Sequence, residues 1–553
     1  MASLSVVSAF TAALLTGFAC VSAAAAPAEA TAWREDLRVM AREMELIHKH
    51  LFHTVTCDEF AAAVDGLSAR IEVLARHQII VEFARIAAAI GDGHTNLSLH
   101  RDPKVAFRAL PVRLYLFDDG LHVRAARPDL EPLLGARIDA IGEVGVAEAI
   151  QRVGAIISRD NDVGLTALVP VYLAMPEVLH ALGLSSSPDG AEFTLSRDGR
   201  SWRQRLEADG PAPLYPSDTD VSLEAVDGWI DAATDRASTV WLQAPRAEHR
   251  LVSIEPRQTL YLQLNKVGDA ADRSLAELAD EISRRIRLDN PARIVLDLRH
   301  NRGGAGHLRY PLVKALIRAE DADTRLFVLI GRNTFSAAQF ITDDLDVYSD
   351  AVLVGEPTGS KPNAYGDSRK IVLPNSGLTV RASTYWWQEN QDQTRQWTGP
   401  DVATDYTFAD YAAGRDPALQ AALAYRASPA PEDLLKQAAA DGGADAVERA
   451  AAAFRADPAN RYRSLARPLV GVGHRLFTEQ RNEDALAVLA LATRTYPQSA
   501  FAHSMLAHVR YRTGDSDGAG EAAERALELN PNDQDAPAVR RQLAEQAPPP
   551  QGR

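Results

Sequence analysis

Three short segments, far apart in the chain, carry the residue types that acyl transfer needs. Gly91-Asp92-Gly93-His94-Thr95 presents an imidazole on a backbone that its glycines leave free to turn, and an imidazole already titrates near neutrality. The apolar run Ile294-Val295-Leu296 leads into Asp297-Leu298-Arg299-His300-Asn301-Arg302-Gly303-Gly304, a polar loop whose amides could line an oxyanion hole. Arg332-Asn333-Thr334-Phe335-Ser336-Ala337-Ala338-Gln339-Phe340 follows a strand-like run and opens a helix-like one. That puts the Ser336 hydroxyl at a helix N-terminus, where the macrodipole favours developing negative charge. Each segment alone has a bland reading: His94 as a surface or helix-end residue, the Asn-Gly loop as an ordinary turn, Ser336 as an N-cap.

In their order along the chain, DGHT, DLRHNRGG, FSAAQF and Val354-Gly355-Glu356-Pro357-Thr358-Gly359 resemble the tail-specific (carboxyl-terminal processing) proteases and their tricorn core protease relatives. The resemblance covers roughly residues 60 to 425. It implies a serine peptidase with an α/β, crotonase-like core and no metal or other cofactor. Ser336 would be the nucleophile, and the amides of Ala337 and Gly303 would hold the oxyanion.

The resemblance leaves the general base open between His94 and Lys361. Lys361 follows the GEPTG run where tail-specific members carry their lysine, but its setting is Gly359-Ser360-Lys361-Pro362 rather than a lysine between glycines. To act near pH 7 it would have to lose its proton about three pH units below the ordinary lysine value, through desolvation. His94 matches the base of tricorn-type members and needs no such shift, so His94 is the expected base. The glutamate that tricorn-type members place ahead of a Pro-Asp pair is replaced here by Thr394, before Pro400-Asp401, with Glu389 and Asp392 as nearby substitutes. Asp297 and Arg299 read as structural supports for the loop, and Trp386 and Trp387 as core or groove rim.

A chain of 553 residues exceeds what one hydrophobic core usually serves. With 46% hydrophobic and 24% charged residues it is ordinary globular material. The net charge of −15, with no basic block, excludes nucleic acid as an expected partner. Residues 1–30 read as a signal peptide, because the apolar run Leu4 to Phe18 is too short to span a bilayer and small residues follow it. A periplasmic or secreted location without a stable membrane anchor follows. Cys20 falls in that leader without a lipoprotein box, and Cys57 is then the single thiol of the mature chain, so the fold must rest on its cores.

Periodicity divides the remainder. Residues 31–101 read as a helical bundle ending in the DGHT motif, and 102–208 as an α+β segment, either a degenerate PDZ-like domain or an unrelated spacer. Residues 209–250, rich in Pro, Asp and Ala, read as a linker, and the strand–helix alternation of 251–425 as the peptidase core. Residues 432–545 read as tetratricopeptide-like repeats, because Ala485, Ala492 and Pro497 recur 34 residues later as Ala519, Ala526 and Pro531. The expected partners are a polypeptide substrate and, through the repeats, a protein. Two other readings compete: a catalytically silent ligand-binding protein of the same fold, and a scaffold working through its repeats.

Overall fold

The structure is a computed structural model that describes residues 27–213, 223–255, 258–320, 323–389, 395–427 and 429–546. The apolar leader, Cys20, Asp392 and Thr394 lie outside the described residues.

The chain enters through three helices, Pro27–Ile47, Cys57–Arg70 and Arg76–Ala89. The first begins within residues 1–30, read from the sequence as a leader, and Ala30 is already fully buried. Thr56 and Glu59 close a capping box on the second helix, satisfying N–H groups that a helix start leaves open. The apolar faces, with Leu37, Met40, Ile79 and Phe83, pack in one core with Val112, Val123, Phe193 and Leu195. The 31–101 and 102–208 segments therefore form one unit rather than two domains. Its seven-stranded sheet contains the hairpin Val112–Phe117/Gly120–Ala126, turned at Asp118-Asp119 as the sequence indicates. The strand Arg137–Ile141 runs on towards the helix Val146–Gly154.

A second correction concerns the hairpin Arg369–Val372/Thr379–Ala382, placed by sequence in the peptidase core. It pairs antiparallel with Asn96–Leu97 and buries Ile371, Leu378 and Val380 in the N-terminal core. Its turn is held by Asp36 of the first helix, whose carboxylate accepts from the amides of Asn375 and Ser376 at 2.9 and 2.8 Å. The linker reading of 209–250 also fails: Leu223, Trp241 and Leu242 are buried with Tyr115, Phe117 and Tyr411.

The central sheet has six strands, in the order Val402–Ala403, Val352–Gly355, Arg325–Ile330, Arg293–Asp297, Thr259–Leu264 and His249–Ile254. All neighbours are parallel except the last, an antiparallel edge. Thr259–Leu264 is buried at every position, as a strand covered on both faces must be. Leu262, Leu296 and Val328 face the helices Leu275–Asp289, Tyr310–Ala319 and Ala337–Tyr348. Tyr261, Val295 and Phe327 face Ala418, Leu419 and Ala422 of the helix Pro417–Ala424.

The C-terminal helices have a core of their own. Ala466–Thr478 and Asn482–Thr495 recur 34 residues later as Ala500–Arg512 and Ser516–Leu529. Gly473 is small by necessity, because a Cβ there would lie 2.7 Å from Leu489 Cγ. Among the described residues, no helix is long and apolar enough to cross a membrane.

Candidate active site

The parallel strands end where the motifs begin. Arg325–Ile330 leads through Gly331–Phe335 to Ser336, immediately before the helix Ala337–Tyr348. Ser336 does not cap that helix. Its backbone sits at φ 56°, ψ −123°, and its side chain makes no capping hydrogen bond. A non-glycine residue held there costs about 1–3 kcal/mol, and a sharp, strained strand-to-helix turn is how a nucleophilic serine is pushed clear of its own helix. The Ser336 hydroxyl instead lies 3.0 Å from His94 Nε2, a residue 242 positions earlier in the chain.

His94 is held through its backbone and its ring face. Its N–H donates to Asp92 Oδ1 at 3.0 Å, as does that of Thr95 at 2.7 Å, and the ring stacks on Phe335 with centroids 4.6 Å apart. Asp92 is buried and also accepts from Ser383 Oγ and from His48 Nε2, at 2.8 and 2.9 Å. Burial alone would raise the Asp92 carboxyl; hydrogen bonds from His48, His53 and Ser383 outweigh it and hold the group well below the usual carboxylate range. His48 Nδ1 accepts from the His50 N–H at 3.0 Å, so Nε2 carries the proton and donates to Asp92. In that tautomer His48 Nε2 has no lone pair for a metal, although His48, His53 and Asp92 lie close enough together to enclose one.

Among the described residues, His94 Nδ1 is buried without a hydrogen-bond partner. Glu389, one substitute for the missing glutamate, pairs with Arg309 instead, and Asp392 and Thr394 lie outside the described residues. The acid that does face His94 is Asp160. Its Oδ1 accepts from the Gly93 N–H at 2.7 Å and its Oδ2 from Ser360 Oγ at 2.6 Å. Burial raises its carboxyl above the ordinary range, and the charge of His94 opposes that rise most strongly.

The glycine loop comes from the neighbouring strand Arg293–Asp297. Gly303 adopts φ +108°, and a Cβ there would meet Ser336 Cβ at 2.7 Å and the Ala337 amide nitrogen at 3.0 Å. The loop backbone and Ser336 are therefore in contact. The Gly303 N–H, however, donates to Asn301 Oδ1 at 2.8 Å. Ala337 opens its helix, where the first N–H groups have no intrahelical acceptor. Lys361 is half-buried, and among the described residues no hydrogen bond joins it to Ser336 or His94. Trp387 packs on Phe340 of the nucleophile helix, while Trp386 is exposed beside Tyr365.

Asp297 and Arg299 are structural. Arg299 bridges the buried Asp297 and Asp416, with nitrogen–oxygen distances of 2.6 and 2.8 Å, and lies over the Trp241 ring. Arg299→Leu would strand two buried carboxylates, and the expected cost is about 3–5 kcal/mol, read as a lower denaturation midpoint. The GEPTG run is tied in through Glu356, which pairs with Arg332.

Within the helix Ala337–Tyr348, Asp343 is buried and accepts from Thr398 Oγ1 and Gln339 Nε2. Burial pushes its carboxyl up to about 6 against those two bonds. An acid raised on folding binds its proton more tightly in the folded chain. Its stabilisation is therefore complete below about pH 4 and lost as pH rises through about 6, some 3 kcal/mol in all. Asp343→Asn is expected to flatten this part of the pH–stability curve, measured by urea unfolding between pH 4 and 7.

Sequence reasoning missed His48, Asp160, Ser360 and Ser383. Ser360 adjoins a recognised motif and could have been found there; His48, Asp160 and Ser383 lie in segments with no local signature.

No family model and no curated relative matches the sequence. Solved structures do. The photosystem II D1 C-terminal processing protease aligns over 68% of this chain and 93% of its own at 13% identity, with a TM-score of 0.33. A peptidase structure from Parabacteroides merdae aligns over 71% and 95% at 12% identity, TM-score 0.37. A serine-to-alanine variant of CPAF aligns over 72% of this chain and 99% of its own at 10% identity, with a TM-score of 0.51. Over that span, the chain has the fold of CPAF.

Proposed function

We propose that this chain is a serine endopeptidase that cleaves extended or unfolded polypeptides through an acyl-enzyme on Ser336. The observation that carries the reading is the 3.0 Å approach of Ser336 Oγ to His94 Nε2, from a serine held in a strained turn that frees it from capping. The motif resemblance and the shared fold agree with it.

In this reading His94 Nε2 takes the hydroxyl proton as Ser336 Oγ attacks the scissile carbonyl carbon. The oxyanion that forms is met by the Ala337 amide, and by Gly303 once its N–H exchanges Asn301 for the new acceptor. His94 then returns the proton to the leaving amine as the C–N bond breaks. Water, deprotonated by the same imidazole, then adds to the acyl carbon; the bond to Ser336 Oγ breaks, His94 returns the proton to that oxygen, and the acid product leaves. Asp160 balances the imidazolium across both steps. The mature chain works after export, and its helical repeats recruit a substrate or partner protein.

The test is digestion of a denatured protein in the presence of a metal chelator, by the wild type and by Ser336→Ala. Cleavage by the wild type alone supports the reading. Equal cleavage by both, or by neither, refutes it.

A further inference from the structure

The turn that leads to Ser336 has a second side. At the carboxyl ends of the strands Arg325–Ile330 and Val352–Gly355, where open parallel sheets receive ligands, lies a cavity of about 470 Å³. Gly331, Arg332 and Asn333 of the turn form one wall, and Ala418 sets the cavity on the side of the sheet covered by the helix Pro417–Ala424. The helix Ala337–Tyr348, which Ser336 precedes, packs on the other side. Three aromatic rings complete the walls: Tyr115 of the hairpin, Trp241 of the segment 223–250, and Tyr406 just beyond the edge strand Val402–Ala403. Ser336, His94 and Gly303 do not line it.

Two features of these walls select an occupant. Every charged side chain on them is already paired: Arg299 with Asp297 and Asp416, Arg332 with Glu356, and Asp405 with Arg461. The two guanidiniums lie over the Trp241 and Tyr115 rings, 4.1 and 5.2 Å from the centroids. They therefore offer a ligand flat stacking surface rather than uncompensated charge. The uncommitted groups are neutral. Trp241 is 5% exposed, and its Nε1 and the Tyr406 hydroxyl are both buried without a hydrogen-bond partner among the described residues. The two rings meet edge-on, with centroids 5.8 Å apart. An indole N–H can only donate, and burial holds the proton on Tyr406, raising that hydroxyl well above its ordinary value. Buried donors are as a rule bonded, so this pair calls for an acceptor that the walls do not supply.

We propose that this cavity binds a neutral, planar aromatic molecule through a carbonyl oxygen that accepts from Trp241 Nε1 and the Tyr406 hydroxyl. The molecule stacks among the rings and guanidinium planes and rests against Gly331–Asn333 from behind. An anion is disfavoured by the second carboxylate on Arg299, a cation by the two donors, and a hydrocarbon because it leaves both donors unbonded. Such binding does not depend on the chemistry of Ser336, so it stands or falls separately from the peptidase reading.

The experiment is equilibrium dialysis of the full chain against three probes of similar shape: coumarin, neutral with a carbonyl; naphthalene, which has no acceptor; and coumarin-3-carboxylate, an anion. Coumarin is expected to bind about tenfold or more tighter than either of the others. Trp241→Phe and Tyr406→Phe each keep an aromatic ring and remove one donor, so each is expected to weaken coumarin by about fivefold and to leave naphthalene unchanged. Unfolding curves identify a variant that fails to fold; the other variant then decides, and the wild-type probe ratios decide if both fail. No uptake of coumarin at millimolar concentration, equal binding of coumarin and naphthalene, tighter binding of the carboxylate, or coumarin affinity unchanged in the folded Phe variants would each overturn the site.

Discussion

Ser336→Ala and His94→Ala are each expected to lower kcat/KM by about 10⁴-fold or more, while Lys361→Ala stays within about twofold of wild type. The argument is geometric. Among the described residues, the serine hydroxyl has one basic partner, His94 Nε2 at 3.0 Å, and the imidazole is locked by the Asp92 bonds to its loop and by its stack on Phe335. Without that base, Ser336 is an alcohol that holds its proton near neutral pH. Because the two residues act as a unit, the double variant should be hardly worse than either single one. Initial rates on an unfolded substrate, with folding checked by circular dichroism, measure all four. A collapse of activity in Lys361→Ala with retention in His94→Ala would assign the base to the lysine.

The second large effect is expected at Gly303. Its φ of +108° lies where side chains are strained, and a Cβ would sit 2.7 Å from Ser336 Cβ and 3.0 Å from the Ala337 nitrogen. Two of those neighbours are the nucleophile's own carbon and the amide expected to meet the oxyanion. Gly303→Ala must therefore displace the groups that need to stay still, and a loss of about 10²–10³-fold in kcat is expected, with about 1–3 kcal/mol of stability. Gly306→Ala is the control, since a Cβ there meets nothing closer than Phe340 at 3.4 Å. A Gly303→Ala enzyme as active as the Gly306→Ala control would remove the loop from the catalytic account.

The central sheet was legible because its signals are local. Arg325–Ile330 is an apolar run between turn residues, and Thr259–Leu264 is another short apolar run. What could not be read is pairing at a distance. Leu97 meets Val380, and Thr95 and Ser383 exchange hydrogen bonds across 288 residues, although nothing near either segment announces the other. The misread linker shows a related limit: between 223 and 250 the apolar residues follow only a weak period, yet Leu223, Trp241 and Leu242 go inside. At the site, Ser336 and His94 were visible because each sits in a motif of recognisable residue types. Whether Ser336 capped its helix depended on a backbone angle that serine does not dictate. Asp160 reaches Gly93 across 67 residues from a loop with no motif, so only the folded chain reveals it.

The most direct test of the account is covalent labelling by a fluorophosphonate in chelating buffer, followed by intact mass and peptide mapping, on the wild type, His94→Ala and Lys361→Ala. The account predicts one adduct, on Ser336, formed at similar rates in the wild type and Lys361→Ala and slowed by orders of magnitude in His94→Ala. An adduct on another residue, or labelling of Ser336 that is indifferent to His94, would contradict it.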